Sequence, residues 1–206
     1  MLSLTKQVLL VTALLASSTA VAEEVPVRTA TQFLMTNSNS INVTTLQVIN
    51  ESPETLSVTG TLFNKEGVRL GSAGTNLGSV LPQARLSLSA VDLENLFNIP
   101  AWQGPAMLEI ESNGRFSLLS RLVSPSGLTS NTNCVTEDIV HNVEGADSSN
   151  LTYVRLINTG TSTITDITGT LVDEGGETLG QPNQTLVESL PAKAATFVNG
   201  NQLSGL

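Results

Sequence analysis

The side chains best suited to nucleophilic catalysis are scarce in this chain. Cys134 is its one cysteine and His141 its one histidine. A serine or cysteine hydrolase needs a nucleophile, a base and a group that orients the base. Alternation along the strand predicted to begin at Cys134 places His141 on the opposite face, and no Gly-x-Ser-x-Gly elbow occurs. The sequence therefore indicates a protein that is not an enzyme and predicts no catalytic residue.

The sequence also offers few residues suited to metal binding or to catalysis by paired carboxylates. Zinc takes three or four ligands from His, Cys, Asp and Glu, and a chain with one His and one Cys is a poor source of such a set. The segment Asp173-Glu174-Gly175-Gly176-Glu177 places oxygen atoms around glycines, but it departs from the regular calcium-loop pattern, and a hairpin turn explains it. Glu109 and Glu111 share one strand face, where an ordinary solvated surface is favoured over a glycosidase pair. We predict no cofactor and no metal-binding residue.

Three further features are compatible with binding. Trp102 could stack on a sugar, but Pro100 and Pro105 bracket it, which favours a plug over the end of a core. Asn42-Val43-Thr44 and Asn150-Leu151-Thr152 fit the glycosylation acceptor pattern and are also expected where a loop enters a strand. Cys134 is interpreted as a buried thiol, with an intermolecular disulfide as the alternative.

Residues 1–22 have the pattern of a secretory signal peptide. Lys6 supplies the positive start, a short apolar run follows, and Ala20-Val21-Ala22 gives the cleavage pattern. The run is too short to span a bilayer, so we expect a secreted or periplasmic protein with no membrane insertion after signal removal. The formal charge of −9 argues against nucleic acid as a partner, because such a chain repels phosphate backbones.

The rest of the chain contains the same pattern twice. Gly60-Thr61-Leu62 recurs as Gly169-Thr170-Leu171. At the same separation Gly67 recurs as Gly176, Leu70-Gly71 as Leu179-Gly180, and Leu81-Pro82 as Leu190-Pro191. With one-residue slips, Val48-Ile49-Asn50 matches Leu156-Ile157-Asn158, and Leu93 and Leu96 match Leu203 and Leu206. A repeat of this length indicates a duplicated domain, since solenoid repeats are far shorter.

Each copy has the sequence pattern of a β-sandwich. Residues 23–130 form the first copy, with about seven short strands separated by polar turns. The clearest features are alternation over Leu56–Phe63, a helical turn after Ser89 and a hairpin signal at Asn113-Gly114. The predicted fold class is all-β, with two tandem immunoglobulin-like β-sandwich domains of which the second is truncated; a barrel is the alternative.

Residues 131–206 form the second, incomplete copy. Its strands are predicted at 135–143, 152–158, 164–172, 177–187 and 194–198. Counterparts of Ala106–Ser112 and Arg115–Val123 are missing, which would leave a sheet edge and part of an apolar face uncovered. The alternatives are a fragment, a reduced sheet packed on the first copy, and a strand supplied by another chain. Self-association through the incomplete second sheet is therefore one expected partner interaction.

These residues resemble a module repeated in large bacterial exported proteins. The resemblance spans most of the mature chain and lies in turn and core residues: Leu46–Asn50, Gly60–Gly67, Leu70-Gly71, Leu81-Pro82, Asp92–Phe97, Trp102–Ala106, Gly127–Asn131, Arg155–Gly160 and Gly169–Gly176. It implies an accessory, adhesion-like or spacer domain without catalytic activity.

The function that we predict is a non-enzymatic exported structural or interaction module with an unknown protein or glycan partner. The alternative is a carbohydrate- or calcium-binding accessory module. A groove in which Trp102 is exposed beside Asn and Asp side chains would favour the alternative.

Overall fold

The structure is a computed structural model that describes residues 27–131, 153–173, 175–199 and 202–203. We call residues 27–131 the N-terminal region and the described residues from 153 onwards the C-terminal region. The predicted signal peptide, Cys134, His141 and the acceptor pattern beginning at Asn150 lie outside the described residues.

The N-terminal region is built from β-strands and a helix of eight residues. In chain order these elements are β1 (Arg28–Leu34), β2 (Val43–Asn50), β3 (Leu56–Asn64), β4 (Arg69–Val80), β5 (Arg85–Ser89), α1 (Ala90–Phe97), β6 (Ala106–Ser112), β7 (Phe116–Val123) and β8 (Thr129–Asn131).

The strands form two four-stranded antiparallel sheets, ordered β1-β6-β3-β4 and β5-β2-β7-β8. A cluster of buried apolar side chains lies between them, drawn from both sheets and from α1. The predicted all-β fold class is thereby confirmed. The alternation seen in the sequence accounts for this packing, since Leu56, Val58 and Leu62 of β3 all point into the core and are at most 1 % exposed.

Helix α1 begins at a reciprocal cap. The Ser89 Oγ accepts a hydrogen bond from the Asp92 backbone N–H at 3.2 Å, and the Asp92 carboxylate accepts from the Ser89 N–H at 2.8 Å. Hydrogen bonds from the Ser89 hydroxyl and backbone hold the pKa of Asp92 below its ordinary value. Leu93 and Phe97 are buried against the core, as their helical spacing predicts.

The hairpin predicted at Asn113-Gly114 is wrong. The strands on either side of this turn pair in different sheets, β6 with β1 and β3 and β7 with β2 and β8. Tertiary contacts override the local signal, because the Asn113 Oδ1 accepts from the Ser57 N–H at 2.8 Å and the Arg115 N–H donates to the Ser52 Oγ at 2.6 Å. The turn therefore crosses from one sheet to the other.

The C-terminal region contains four strands close to the predicted ones. They are β9 (Tyr153–Ile157), β10 (Ile164–Val172), β11 (Thr178–Leu190) and β12 (Ala195–Asn199). Two antiparallel pairs result, β10 with β11 and β9 with β12.

A buried asparagine makes the same hydrogen bonds in both regions. The Asn50 Nδ2 donates to the carbonyls of Glu54 and Val80 at 2.8 and 2.9 Å, while its Oδ1 accepts from the Ser52 N–H. The Asn158 Nδ2 likewise donates to the carbonyls of Ser162 and Leu190 at 2.8 and 3.0 Å, and its Oδ1 accepts from the Gly160 N–H. Each amide ties a turn to the end of the strand beside it.

Left-handed backbone conformations also recur in order. Gly67, Gly71, Gly74 and Gln83 have positive φ in the N-terminal region, and Gly176, Gly180, Asn183 and Lys193 have it in the C-terminal region. The cap recurs too, because Asn199 and Gln202 exchange the same pair of hydrogen bonds as Ser89 and Asp92. Both regions thus follow the same backbone path where these residues lie.

The match of Leu81-Pro82 with Leu190-Pro191 is one residue out of register. Leu190 takes the place of Val80 and not of Leu81: Leu190 and Val80 are each 3 % exposed, and each carbonyl accepts from the buried asparagine. Leu81 is instead 66 % exposed. Each strand of the β10–β11 pair has one residue more at this end: two residues separate the pair Ile164–Leu190 from the pair Ile167–Val187, whereas one residue separates Leu56–Val80 from Val58–Gly78.

We predict that Asn50→Ala lowers the free energy of unfolding by about 2 kcal/mol, because the buried Val80 carbonyl, the Glu54 carbonyl and the Ser52 N–H lose their partner. Denaturant titration measures the change. Asn95→Ala, at an exposed position of α1, is the control and should change stability by less than about 0.5 kcal/mol. Equal effects of the two substitutions would contradict the role of the Asn50 amide.

Candidate functional site

The structure places Trp102 beneath a surface groove and not on its open face. The groove has a volume of about 610 Å³ and lies between the β3–β4 turn and the loop after α1. Its lining includes Lys65, Arg69, Trp102 and Gln103. Trp102 is only 4 % exposed and belongs to the core cluster, so its ring offers no face on which a sugar could stack.

Of the carboxylates singled out in the sequence, Glu109 and Asp173 have structural partners. Glu109 forms an ion pair with Lys193, whereas Glu111 is exposed on the same face of β6. The Asp173 Oδ1 accepts from the N–H groups of Gly175 and Glu177 at 2.8 and 2.9 Å, as the Asn64 Oδ1 does in the β3–β4 turn. The neutral amide of Asn64 accepts the same two hydrogen bonds at the equivalent turn. The Asp173 side chain therefore has a role in holding its turn that needs no negative charge.

At the glycosylation acceptor pattern beginning at Asn42, the side chains make local hydrogen bonds. The Thr44 side chain is buried, and its Oγ1 accepts from the Thr36 N–H at 3.2 Å and lies 2.7 Å from the Thr36 Oγ1. The Thr36 hydroxyl also donates to the Asn42 carbonyl at 3.0 Å. These contacts fix the junction between the loop and β2.

The two regions contact each other through side chains that the sequence analysis did not single out together. On the sheet β1-β6-β3-β4, Phe33 and Met107 are paired neighbours that point away from the core, yet they are 0 % and 1 % exposed. The outer face of this sheet is therefore covered, and the residues that cover it come from β9, β12 and the turn before β12. We call this contact the docking interface.

The centre of the docking interface is a stack of one cation and aromatic rings. The Arg155 guanidinium carbon lies 3.8 Å from the centroid of the Phe33 ring and 5.4 Å from that of Phe197. The two phenylalanine rings meet edge to face at 6.0 Å. Arg155 also contacts the Met35 sulfur at 2.8 Å. Dispersion and electrostatic attraction thus act at the same point.

The edge of the docking interface is made by the turn between β11 and β12. Lys193 there pairs with Glu109 and also donates to the Thr159 carbonyl at 2.7 Å. Both charged side chains are mostly buried, at 16 % and 20 % exposure, so each depends on the other for compensation. The two chain segments also meet through their backbones, since the Ala195 N–H donates to the Lys65 carbonyl at 3.0 Å.

Sequence reasoning missed this interface, although a signal for it exists. Arg155, Phe197 and Lys193 occupy positions whose counterparts in the N-terminal region are Gln47, Ser87 and Gln83. The N-terminal counterparts cannot supply an aromatic ring or a cation. Differences between the two regions, at outward-facing strand positions and in the turn before β12, therefore mark the docking residues.

Comparison with protein families, with characterised proteins and with solved structures finds no match to this chain. Within the described ranges, no group of three or more His, Cys, Asp or Glu side chains could hold a metal ion. No helix of the described residues has the length and hydropathy needed to cross a membrane.

We predict that Gly67→Ala disrupts docking while Gly176→Ala does not. Both glycines have positive φ, 83° and 85°, so both substitutions carry a similar backbone cost of about 1–2 kcal/mol. A Cβ at Gly67 would also lie 2.2 Å from the Ala192 carbonyl oxygen, whereas one at Gly176 meets nothing within 4 Å. Amide exchange at Ala195, which donates across the interface, should quicken only in Gly67→Ala; equal exchange in both variants would contradict this contact.

We also predict that Arg155→Gln weakens docking by about 1–2 kcal/mol, because it removes the cation from the Phe33 ring. A double-mutant cycle with Phe33→Leu measures the coupling by denaturant titration. Arg121→Gln, at an exposed arginine of β7, is the control and should show no coupling to Phe33→Leu. A coupling energy near zero for Arg155 would contradict the stack.

Proposed function

We propose that this chain is a non-enzymatic, exported structural or interaction protein of the adhesion-like kind. It consists of two tandem copies of one β-sandwich module, the second docked on the outer face of the first. The observation that carries the proposal is that the side chains which organise each region differ from those which join the two regions. Features common to both regions organise the backbone, and features found in one region only make the contact between them.

The recurring hydrogen bonds support a duplication of fold without a duplicated active site. The shared polar side chains are the buried asparagine, the turn acceptor and the helix cap. Each has its hydrogen-bonding capacity directed at backbone groups of its own region. Such side chains hold turns in place, which suits a module that presents surfaces and loops.

The docking interface supports a structural role. A single segment between two modules would leave them free to move, whereas an ion pair, a stack and a backbone hydrogen bond together fix their relative orientation. A protein that spaces or presents binding surfaces outside the cell benefits from such a fixed arrangement.

The alternative, a carbohydrate- or calcium-binding accessory module, has one observation in its favour. The groove beside Trp102 has the size of a small-ligand site and carries Lys65, Arg69 and Gln103. Its aromatic residue is buried, however, and the Asp173 Oδ1 accepts hydrogen bonds from two backbone N–H groups of its own turn. The interaction module is therefore the better supported function.

Export is tested directly by the mature N-terminus. When the full chain is produced in a bacterial host, we expect mass spectrometry of the medium or periplasmic fraction to find a protein that begins at Glu23. A variant with Lys6→Glu and Leu10→Arg is the control and should stay in the cytoplasm with Met1 retained. If the chain without these substitutions also stays in the cytoplasm with Met1 retained, that result contradicts export.

Binding is tested with the mature chain, residues 23–206, coupled to inert beads. We expect the beads to adhere to cells of the producing organism, and blank beads not to. Calcium and a panel of neutral and acidic oligosaccharides should leave the fluorescence of Trp102, the one tryptophan, unchanged. Saturable fluorescence changes with a sugar or with calcium, in the absence of bead adhesion, would favour the alternative.

A further inference from the structure

The groove beside Trp102 carries positive charge in an acidic chain. Lys65 and Arg69 both line it, and Glu66 is the one carboxylate among its lining residues. The chain as a whole has a formal charge of −9 and only nine Lys and Arg residues. Lys65 and Glu66 form an exposed ion pair at 3.5 Å, whereas Arg69 forms none with the described residues. Two cations and one carboxylate leave the groove with one net positive charge, which suits a monoanion.

The Lys65 side chain extends from one wall of the groove to the other. Its Cδ lies 3.8 Å from the position that a Cβ on Gly104 would take, so the stem reaches from the β3–β4 turn to the loop after α1. The Asn37 side chain donates to the Trp102 carbonyl and holds this loop from the other side. The two walls that carry the charged and the aromatic side chains are therefore fixed relative to each other.

Beneath the groove lies a hydrogen-bond donor without an acceptor. Trp102 lines the groove and is 4 % exposed, and its Nε1–H donates to no group of the described residues. Buried N–H groups of proteins nearly always have a partner, so this donor calls for an explanation. The indole N–H can only donate, and a ligand oxygen atom is the kind of partner that it lacks.

The cations of the groove are absent from the equivalent turn of the C-terminal region. Glu174 and Thr178 stand in the sequence where the first copy has Lys65 and Arg69. The turn itself is held in the same way in both regions, by two backbone N–H groups that donate to one side-chain oxygen. Formation of this turn therefore needs neither cation, and both charges are available to a ligand.

We propose that the groove binds a small organic carboxylate with an apolar body. The carboxylate accepts hydrogen bonds from Arg69, whose planar guanidinium matches two oxygen atoms, and from the Trp102 Nε1–H. The body packs against the apolar side chains that line the groove, Leu70, Ile99 and Pro100. The volume of about 610 Å³ suits such a ligand. This site goes beyond the proposed interaction function and does not depend on it.

The charge and the lining of the groove argue against two other classes of ligand. A phosphate monoester carries about two negative charges near neutral pH, more than the single net charge of the groove balances. A sugar acid has hydroxyl groups over its whole body, and the neutral amides in the lining are those of Asn64 and Gln103. Most of these hydroxyl groups would lie against apolar side chains without a hydrogen-bond partner.

The test titrates the mature chain, residues 23–206, with octanoate. Fluorescence and the indole N–H resonance both report on Trp102, the one tryptophan of the chain. We expect saturable binding and a downfield shift of the Nε1 proton, because this proton gains an acceptor. Octanamide keeps the apolar body without the charge, whereas acetate and galacturonate keep the charge without the apolar body. Each of these three should bind at least tenfold more weakly than octanoate.

Substitutions locate the binding site. Arg69→Gln should weaken octanoate binding at least tenfold, because it removes the charge-assisted hydrogen bonds. Arg121→Gln removes the same charge from an exposed position of β7 and should change binding less than twofold. Lys65→Gln serves as a second groove variant if Arg69→Gln fails to fold.

Four results would overturn the inference. They are no saturable binding of octanoate, equal affinity for octanoate and octanamide, equal affinity of the groove variant and Arg121→Gln, and a Trp102 Nε1 proton whose resonance stays in place while octanoate binds. Acetate or galacturonate binding as tightly as octanoate would likewise contradict the apolar part of the site.

Discussion

The arrangement of this protein depends on the need to cover an apolar outer sheet face. Phe33 and Met107 point away from the core of the N-terminal region, and exposing either would cost about 1.5–3 kcal/mol relative to burial. The C-terminal region meets that need with Arg155 and Phe197 on its own outward strand face. Because Arg155 stacks on Phe33 while Lys193 pairs with Glu109, the orientation is specific as well as favourable.

The two regions share the residues that set the backbone geometry and differ in the residues that form the contact between them. Asn50 and Asn158 tie the same turn to the same strand end, and Gly74 and Asn183 share a left-handed conformation that glycine and asparagine tolerate best. Arg155 and Phe197 of the docking interface instead occupy outward positions, which a β-strand leaves free because only alternate residues face the core. Folding and assembly therefore use separate sets of residues on the same strands.

Much of the fold could be predicted from sequence, and the failures have physical reasons. Alternation over β3 and the Ser89 cap are local signals, and both are confirmed. The Asn113-Gly114 turn was expected to be a hairpin, but contacts with Ser52 and Ser57, distant in sequence, direct it between sheets. The sequence predicts a solvated carboxylate at Glu109, which instead pairs with Lys193. A strand residue that faces another region shows the same alternation as one that faces water, so the pattern does not distinguish the two.

The central claim, that the two regions dock through the Arg155–Phe33 stack, is tested most directly by the NMR shifts of the Arg155 side-chain protons. A guanidinium carbon 3.8 Å from the ring centroid places these protons in the ring current of Phe33. We expect them to lie upfield of the corresponding protons of exposed Arg121 and to return to ordinary positions in Phe33→Leu. Arg155 protons that coincide with those of Arg121 and do not respond to Phe33→Leu would contradict the docked arrangement.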